Sequence, residues 1–254
     1  MSQRVQVHAF LCGEDNAFAA VYDPLDSDPG RRVAGPIFFY LVEHPAGNLL
    51  FDSGIPPRLA EGSRLSDALG YKVERDDYVV PKLAAVGIEV TEIEHVVASH
   101  LHFDHAGGLS EFPHAHVYLH REELAFASDP PIYQAEIYDP ADFAGIKSWT
   151  FVEDGADLLG DGSIRIVHTP GHTPGHLSLL VETAAGAIVL AADTSYQTSK
   201  MRERRLPGIL WSPDAIVASW ERLESLEREQ GARLVFTHDA DFRTSPVAGI
   251  EYHL

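Results

Sequence analysis

Ser99-His100-Leu101-His102-Phe103-Asp104-His105-Ala106-Gly107-Gly108 sets four side chains able to hold a metal within six residues, directly after the apolar run His95–Ser99. A strand that ends in a loop can turn consecutive side chains toward one point, and Gly107 and Gly108 let the backbone leave the turn without a Cβ clash. Imidazole together with carboxylate suits zinc and other first-row divalent ions. A lone His past a strand is ordinarily a surface or hydrogen-bonded residue. His-x-His-x-Asp-His is too compact for that reading, even in a chain with 14 histidines.

Three more signals share this placement. His168-Thr169-Pro170-Gly171-His172-Thr173-Pro174-Gly175-His176 follows the strand expected at Ile164–His168. Asp193 follows the apolar run Ala187–Ala192, and His238-Asp239 follows Leu234–Thr237. Each candidate lies just past the C-terminal end of an expected strand, where open sheets place their chemistry.

The remaining chain supplies more strands and a few helices. Val5–Phe10 alternates like a half-buried strand, and Ile37–Val42 with Leu49–Phe51 reads as a hairpin around Pro45-Ala46-Gly47-Asn48. His116–His120, Trp149–Val152 and Leu177–Glu182 are further strands, with helices expected over Asp76–Val86 and Arg121–Ala127. Ser212-Pro213-Asp214 opens the clearest helix: Ser caps it, Pro takes the first position and Asp favours its positive end. Ile216, Trp220, Leu223 and Leu226 form its apolar stripe and Gly231 closes it. The stretches 22–32 and 128–145, rich in Asp, Pro and Gly or simply irregular, read as loops. No composition break or repeat divides residues 1–254, which suggests one domain of sheets faced by helices, an α/β layered fold.

Composition narrows the partners. The 254 residues carry 19 Lys and Arg against 38 Asp and Glu, a net charge of −19, and 45% are hydrophobic. That is a globular composition, and it disfavours nucleic acid and anionic membranes, both of which call for basic patches. Cys12 is the single cysteine, so an intrachain disulfide is impossible and a small core residue is the expectation. Met1–Ala20 lacks the apolar core of a signal peptide, and no stretch reaches the roughly 18 apolar residues of a membrane span. A cytoplasmic protein is expected.

His100-x-His102-x-Asp104-His105, with His172, Asp193 and His238, resembles the dinuclear metal site of the metallo-β-lactamase superfamily, in order and spacing over essentially the whole chain. The resemblance extends to Leu50-Phe51-Asp52-Ser53-Gly54. It implies an αββα sandwich with the site at one edge of the two sheets. It also implies one metal on His100, His102 and His172, another on Asp104, His105 and His238, Asp193 bridging them, and Asp52 behind the ligands, orienting one. The ions would be two divalent metals, zinc foremost, with Fe, Mn or Co compatible. His95, His114, His116, His120, His168 and His176 are expected to be structural.

Within the superfamily, Asp193-Thr194-Ser195-Tyr196 resembles the N-acyl-homoserine lactonases, which place a Tyr three residues after the bridging Asp. Such enzymes imply a small-molecule lactone substrate and commonly a homodimer. The expected chemistry is attack on the lactone carbonyl by a hydroxide held between ions about 3.5–4 Å apart, which bring the pKa of water from about 15.7 toward about 7. Tyr196, ordinarily titrating near about 10, would donate to the oxyanion, and Asp104 would carry the proton to the departing alkoxide. Phe103 is a candidate wall for the ring, and Phe38, Phe39, Leu206, Ile209 and Trp211 are candidates for an acyl groove, with Pro207-Gly208 at its mouth. Competing readings are a glyoxalase II-like thioesterase, which would want a basic C-terminal region this chain lacks, a small γ-lactone hydrolase, and a metal-binding scaffold with a vestigial site.

Overall fold

A computed structural model describes residues 5–61 and 70–254. Among them the strands are β1 (Gln6–Phe18), β2 (Arg32–Glu43), β3 (Asn48–Phe51), β4 (Ile93–Val97), β5 (His116–Leu119), β6 (Trp149–Phe151), β7 (Ile164–His168), β8 (Leu177–Thr183), β9 (Gly186–Ala192), β10 (Arg233–Phe236) and β11 (Ile250–His253). They form a seven-stranded sheet, ordered β11-β1-β2-β3-β4-β5-β6, and a four-stranded sheet, ordered β10-β9-β8-β7.

The apolar pattern of β2 shows why two sheets stack with helices outside them. Phe38, Tyr40 and Val42 point into a core shared with Ile166, Leu179 and Leu190 of the smaller sheet. Ile37, Phe39 and Leu41 point the other way, into a core completed by Val79, Leu83, Phe103 and Ala106 of two outer helices. A strand buried on both faces reads as an unbroken apolar run rather than an alternation. The smaller sheet repeats the logic: Leu180, Val189 and Ala191 pack outward on Ile216, Trp220 and Leu223 of the helix Pro213–Gln230. The result is the αββα sandwich that the superfamily resemblance implied, a specific form of the α/β layering read from the strand and helix pattern.

Several boundaries differ from the sequence reading. β1 and β2 run well past Phe10 and upstream of Ile37, because each pairs with the other through the polar stretch Glu14–Asn16. The register shifts between Leu11 and Glu14, where Gly13 takes φ +127°. β11 has no clear signature of its own and forms by parallel pairing with β1. The helix at 76–86 shortens to Val79–Ala85. Residues 1–4 of the N-terminal segment lie outside the described residues. Cys12 is fully buried, its Sγ donating to the Ile37 carbonyl, and burial pushes the thiol up to about 12. No described helix is long and apolar enough to cross a membrane.

The helix Pro213–Gln230 also seats two loops. Ser212 caps it by accepting from Ala215 N at 3.3 Å, and Gly231 ends it at φ +65°. Ser219 Oγ donates to the Pro170 carbonyl at 2.7 Å, and Trp220 Nε1 donates to the Thr194 carbonyl at 2.6 Å. Thus the loops of His172 and Asp193 rest on one rigid element. At Gly171 the approach is so close that a Cβ would stand 2.5 Å from both Ile216 N and Cγ1, at a φ of +142°. Gly171→Ala should therefore cost about 2–3 kcal/mol through overpacking and backbone strain and lower the melting temperature by roughly 4–12 °C. An unchanged thermal melt would contradict this seating.

Candidate metal centre

The loops after β3, β4, β7, β9 and β10 meet at one edge of the two sheets. β4 delivers Ser99 and His100, and the short helix Phe103–Ala106 that follows carries Asp104 and His105. Gly107 has ordinary helical backbone angles, so its need is for space: a Cβ there would fall 2.2 Å from Pro56 N. His172 comes from the loop after β7, Asp193 from the end of β9 and His238 from just past β10.

The seven candidate residues converge as two groups. His102 Nδ1 lies 3.0 Å from His100 Nε2 and 3.0 Å from His172 Nε2. Ligand atoms of Asp104, His105 and His238 form the second group, all within 4.8 Å of one another. Asp193 faces both: Oδ1 is 3.2 Å from His105 Nε2 and 3.4 Å from His238 Nε2, while Oδ2 is 3.4 Å from His172 Nε2. Nitrogen ligands at about 2.0–2.1 Å in a tetrahedron stand roughly 3.3–3.4 Å apart, which the separations about His102 and Asp193 approach, so the cluster fits a first-row divalent ion.

The outer hydrogen bonds fix what the inner atoms offer. Three rings donate through Nδ1: His172 to the Ile209 carbonyl at 3.0 Å, His238 to the Pro36 carbonyl at 3.0 Å, and His105 to Asp52 Oδ2 at 2.8 Å. Ser99 Oγ donates to Asp52 Oδ2 at 2.8 Å, which leaves it to accept from His100 Nδ1 at 2.9 Å. These partners assign the tautomers. In the neutral rings all four Nε2 lone pairs then point inward, at each other's neighbours and at carboxylate oxygens. His105 Nε2 and Asp193 Oδ1 are buried without a hydrogen-bond partner. Acceptors facing acceptors in a buried space are relieved by a cation between them, and this donor set of imidazole and carboxylate fits divalent metal ions.

Protons show the same demand. Burial, reinforced by neighbouring rings, holds His100 and His102 well below the usual histidine range. Burial also acts against the charged form of His105, but Asp193, Asp104 and Asp52 outweigh it and keep this ring well above that range. His238 is pushed up to about 9: burial opposes, and Asp193 and Asp104 prevail. Burial would raise Asp193, yet His105 and His238 hold it well below the usual carboxylate range.

Beside the cluster lies a pocket with an acidic and histidine-lined floor, Asp15, Asp104, Asp193 and His238, and walls that include Val21, Tyr71, Phe103, Ile137 and Ile209. Tyr196 is buried in it, its ring edge-on to His238 at 5.3 Å and to His172 at 5.8 Å. Burial, then the carboxylates of Asp193, Asp104 and Asp15, raise its hydroxyl well above the usual tyrosine range, so it stays protonated. Of the apolar residues singled out for a groove, only Ile209 reaches this pocket. Phe38 and Phe39 are buried in the two cores on either side of β2, Leu206 packs beneath the small sheet, and Trp211 is 42% exposed. Gly208 N donates to the Val21 carbonyl at 2.8 Å, which sets Pro207-Gly208 against the pocket wall.

Three contributors escaped the sequence reading. Asp15 and Tyr22 line the pocket, the Tyr22 hydroxyl donating to Asp15 Oδ2 at 2.6 Å. Glu123 is buried behind the ligand loops, accepting from Leu101 N at 3.0 Å, Tyr138 Oη at 3.2 Å and Thr173 Oγ1 at 2.5 Å. Each is an ordinary residue whose importance lies in distant partners, so no local signal marks it. His176 accepts from Asp193 N at 3.2 Å and so braces the Asp193 turn. His120 accepts from Glu122 N and stacks on His168 at 4.2 Å, away from the centre.

A family model described as the metallo-beta-lactamase superfamily matches residues 32–238, and the chain belongs to that superfamily. Among its relatives is an N-acyl homoserine lactonase, AttM, of Azorhizobium caulinodans, 34% identical over 218 residues that cover 81% of this chain and 82% of the relative. The N-acyl homoserine lactonase AiiA of Bacillus thuringiensis subsp. kurstaki is 29% identical over 220 residues, covering 84% and 85%. A solved N-acyl homoserine lactone hydrolase, with the product N-hexanoyl-L-homoserine at its catalytic metal centre, superposes with a TM-score of 0.82 at 25% identity, over 96% of this chain and 97% of that one.

The cluster's titration makes the metal-stripped protein sensitive to alkali. His238 has its native pKa raised from 6.5 to about 9. The folded chain therefore binds more protons than the unfolded chain across that window, and stability falls as pH rises through it. His105 acts in the same direction. Chelator-treated protein should lose on the order of 3 kcal/mol of stability between pH 6.5 and 9, and added zinc should abolish the decline. Thermal melts across this range test it; a flat profile without metal would contradict it.

Proposed function

We propose that the chain is a metal-dependent hydrolase that opens the lactone ring of N-acyl-homoserine lactones, a quorum-quenching activity. The observation that carries this reading is the buried, protonated Tyr196 set edge-on to one histidine of each ligand group, at the base of an apolar-walled pocket. The likeness to lactonases along more than four-fifths of both chains supports it.

In this reading His100, His102 and His172 would hold one divalent ion and Asp104, His105 and His238 a second, with Asp193 facing both groups. The donor set suits zinc first and accommodates Fe, Mn or Co. When bound, such ions would supply Lewis acidity, lowering the pKa of a bound water and polarising the ester carbonyl.

The chain's own groups do the rest. Tyr196 donates its hydroxyl proton in a hydrogen bond to the oxygen that becomes negative as the carbonyl is attacked. Asp104 accepts the nucleophile's proton and delivers it to the ring oxygen that leaves, so the product is an open-chain N-acyl-homoserine. Asp52 fixes the rings of His105 and, through Ser99, His100. Phe103 forms a wall for the lactone ring, with Tyr71 edge-on against it at 5.5 Å, and Val21, Ile137 and Ile209 offer apolar surface to the acyl chain. The family resemblance carries with it the further proposals of a single hydrolase domain over 1–254, a cytoplasmic location and a homodimer.

The test is a side-by-side hydrolysis assay on metal-analysed protein, with short- and long-chain N-acyl-homoserine lactones, γ-butyrolactone and a glutathione thioester. We expect preference for the acylated lactones with about two ions per chain. Preference for the thioester overturns the reading and Tyr196's role with it, and metal content without hydrolysis points to a binding scaffold. Tyr196→Phe should lower kcat by up to about 10²-fold with metal content unchanged; an unaltered kcat removes Tyr196 from the reaction.

A further inference from the structure

His102 is the exception among the five rings. It turns Nδ1, not Nε2, toward its fellow ligands, at 3.0 Å from both His100 Nε2 and His172 Nε2. A neutral imidazole that ligates through Nδ1 must carry its proton on Nε2. That nitrogen points outward into a fully buried space, where it has no hydrogen-bond partner. An orphaned buried N–H is unfavourable, and the other four rings each spend their outer N–H on a well-placed acceptor.

One side chain is placed to answer this need. Gln134 is 1% exposed and its amide lies against His102. Its Nε2 donates to the His172 carbonyl at 3.4 Å, which identifies the other amide atom as Oε1. Oε1 is also buried without a partner. A partnerless acceptor and a partnerless ring nitrogen thus sit side by side, each of the kind the other lacks. The local chain holds the glutamine firmly: Gln134 N donates to the Pro131 carbonyl at 2.8 Å, and Ile137 N donates to the Gln134 carbonyl at 3.1 Å. Its neighbours Ile132 and Tyr133 are 94% and 64% exposed, so within this surface turn Gln134 is the residue sent inward.

We propose that Gln134 is a positioning residue of the metal centre: its Oε1 accepts the Nε2–H of His102 when Nδ1 ligates, while its Nε2 ties that ring to the His172 backbone. One amide then orients two of the three ligands of a single ion. This rests on the metal-centre reading above but is independent of which ester is hydrolysed.

The experiment compares wild type, Gln134→Met and Gln134→Glu by chelator competition, metal analysis and the visible absorption of the cobalt-substituted protein, alongside melts of the metal-free forms. Methionine keeps the volume and removes the acceptor. We expect it to weaken one of the two ions by about 10–100-fold and to change the cobalt spectrum, with the other ion retained. Glutamate keeps the acceptor and should hold both ions more tightly than the methionine variant. Wild-type affinity and spectrum in Gln134→Met would overturn the proposal. So would a fall in metal-free stability with affinity untouched, which marks packing alone, and so would glutamate failing to surpass methionine. Failure of the wild type to bind two ions would instead overturn the metal-centre reading itself. Loss of lactonase activity is not needed for any of these outcomes.

Discussion

Ring nitrogens and carboxylate oxygens turned toward one another, with too few protons to separate them all, are the constraint around which the structure is arranged. The inward nitrogens of five rings and the carboxylates of Asp104 and Asp193 converge with no hydroxyl or amide donor interposed. Gathering such a set in a buried place is unfavourable by itself, so the fold must over-determine every position. It does so from outside: Asp52, Ser99 and the carbonyls of Pro36 and Ile209 each take a ring N–H and thereby set which lone pair faces in. A proton can satisfy part of the cluster, as the raised His105 and His238 show. Two divalent charges would satisfy all of it at once.

This outer layer is tied to the sandwich rather than to the loops alone. Asp52 ends β3 at φ +62°, a left-handed conformation uncommon for a non-glycine residue. The strain is held by Asp52 N donating to Val97 O at 2.8 Å and by Ser99 N donating to Asp52 Oδ1 at 2.7 Å. Ala192, just before Asp193, also has positive φ, at +40°. Backbone strain of this kind persists where surrounding structure enforces it, and here the enforcers are central strands of both sheets. Glu123 does the matching work between loops, joining the Leu101 amide to the Thr173 hydroxyl. Burial raises its pKa to about 7, so its donors bear on how readily it stays charged.

Short-range patterns made the α/β layering and the strand-end ligand candidates legible, and the family resemblance supplied the sandwich and the grouping of the ligands. β2 announces burial on both faces by its unbroken apolar run, and the helix Pro213–Gln230 announces its ends by Ser212 and Gly231. The residues of His100–His105, with His172, Asp193 and His238, sit at strand ends and do converge. What escaped is what depends on partners far along the chain. β11 exists because β1 offers an edge. Asp15 matters because it lies under Tyr22 and near His238. Phe38 and Phe39 looked like groove residues because apolar character says that a side chain is buried, not in which layer.

The pocket's design follows from the same division of labour. The floor is fixed by strand ends, which tolerate little change, while the walls come from the Ala17–Tyr22 stretch, the segment around Ile137 and the turn at Ile209. Loops can vary in length and composition without disturbing the sheets, so substrate shape can be altered there while the cluster stays put. The turn at Ile209 is one exception to that separation, because the Ile209 carbonyl accepts from His172 Nδ1 at 3.0 Å, and Gln134 and Ile137 make another. They share one short turn, three residues apart, with Ile137 N bonded to the Gln134 carbonyl. A change in that turn that moves the pocket wall would also move the amide beside His102. The pocket wall at this segment or at Ile209 therefore cannot be reshaped independently of the His102 and His172 rings, whereas Val21 meets the cluster only indirectly, through Gly208 N donating to its carbonyl.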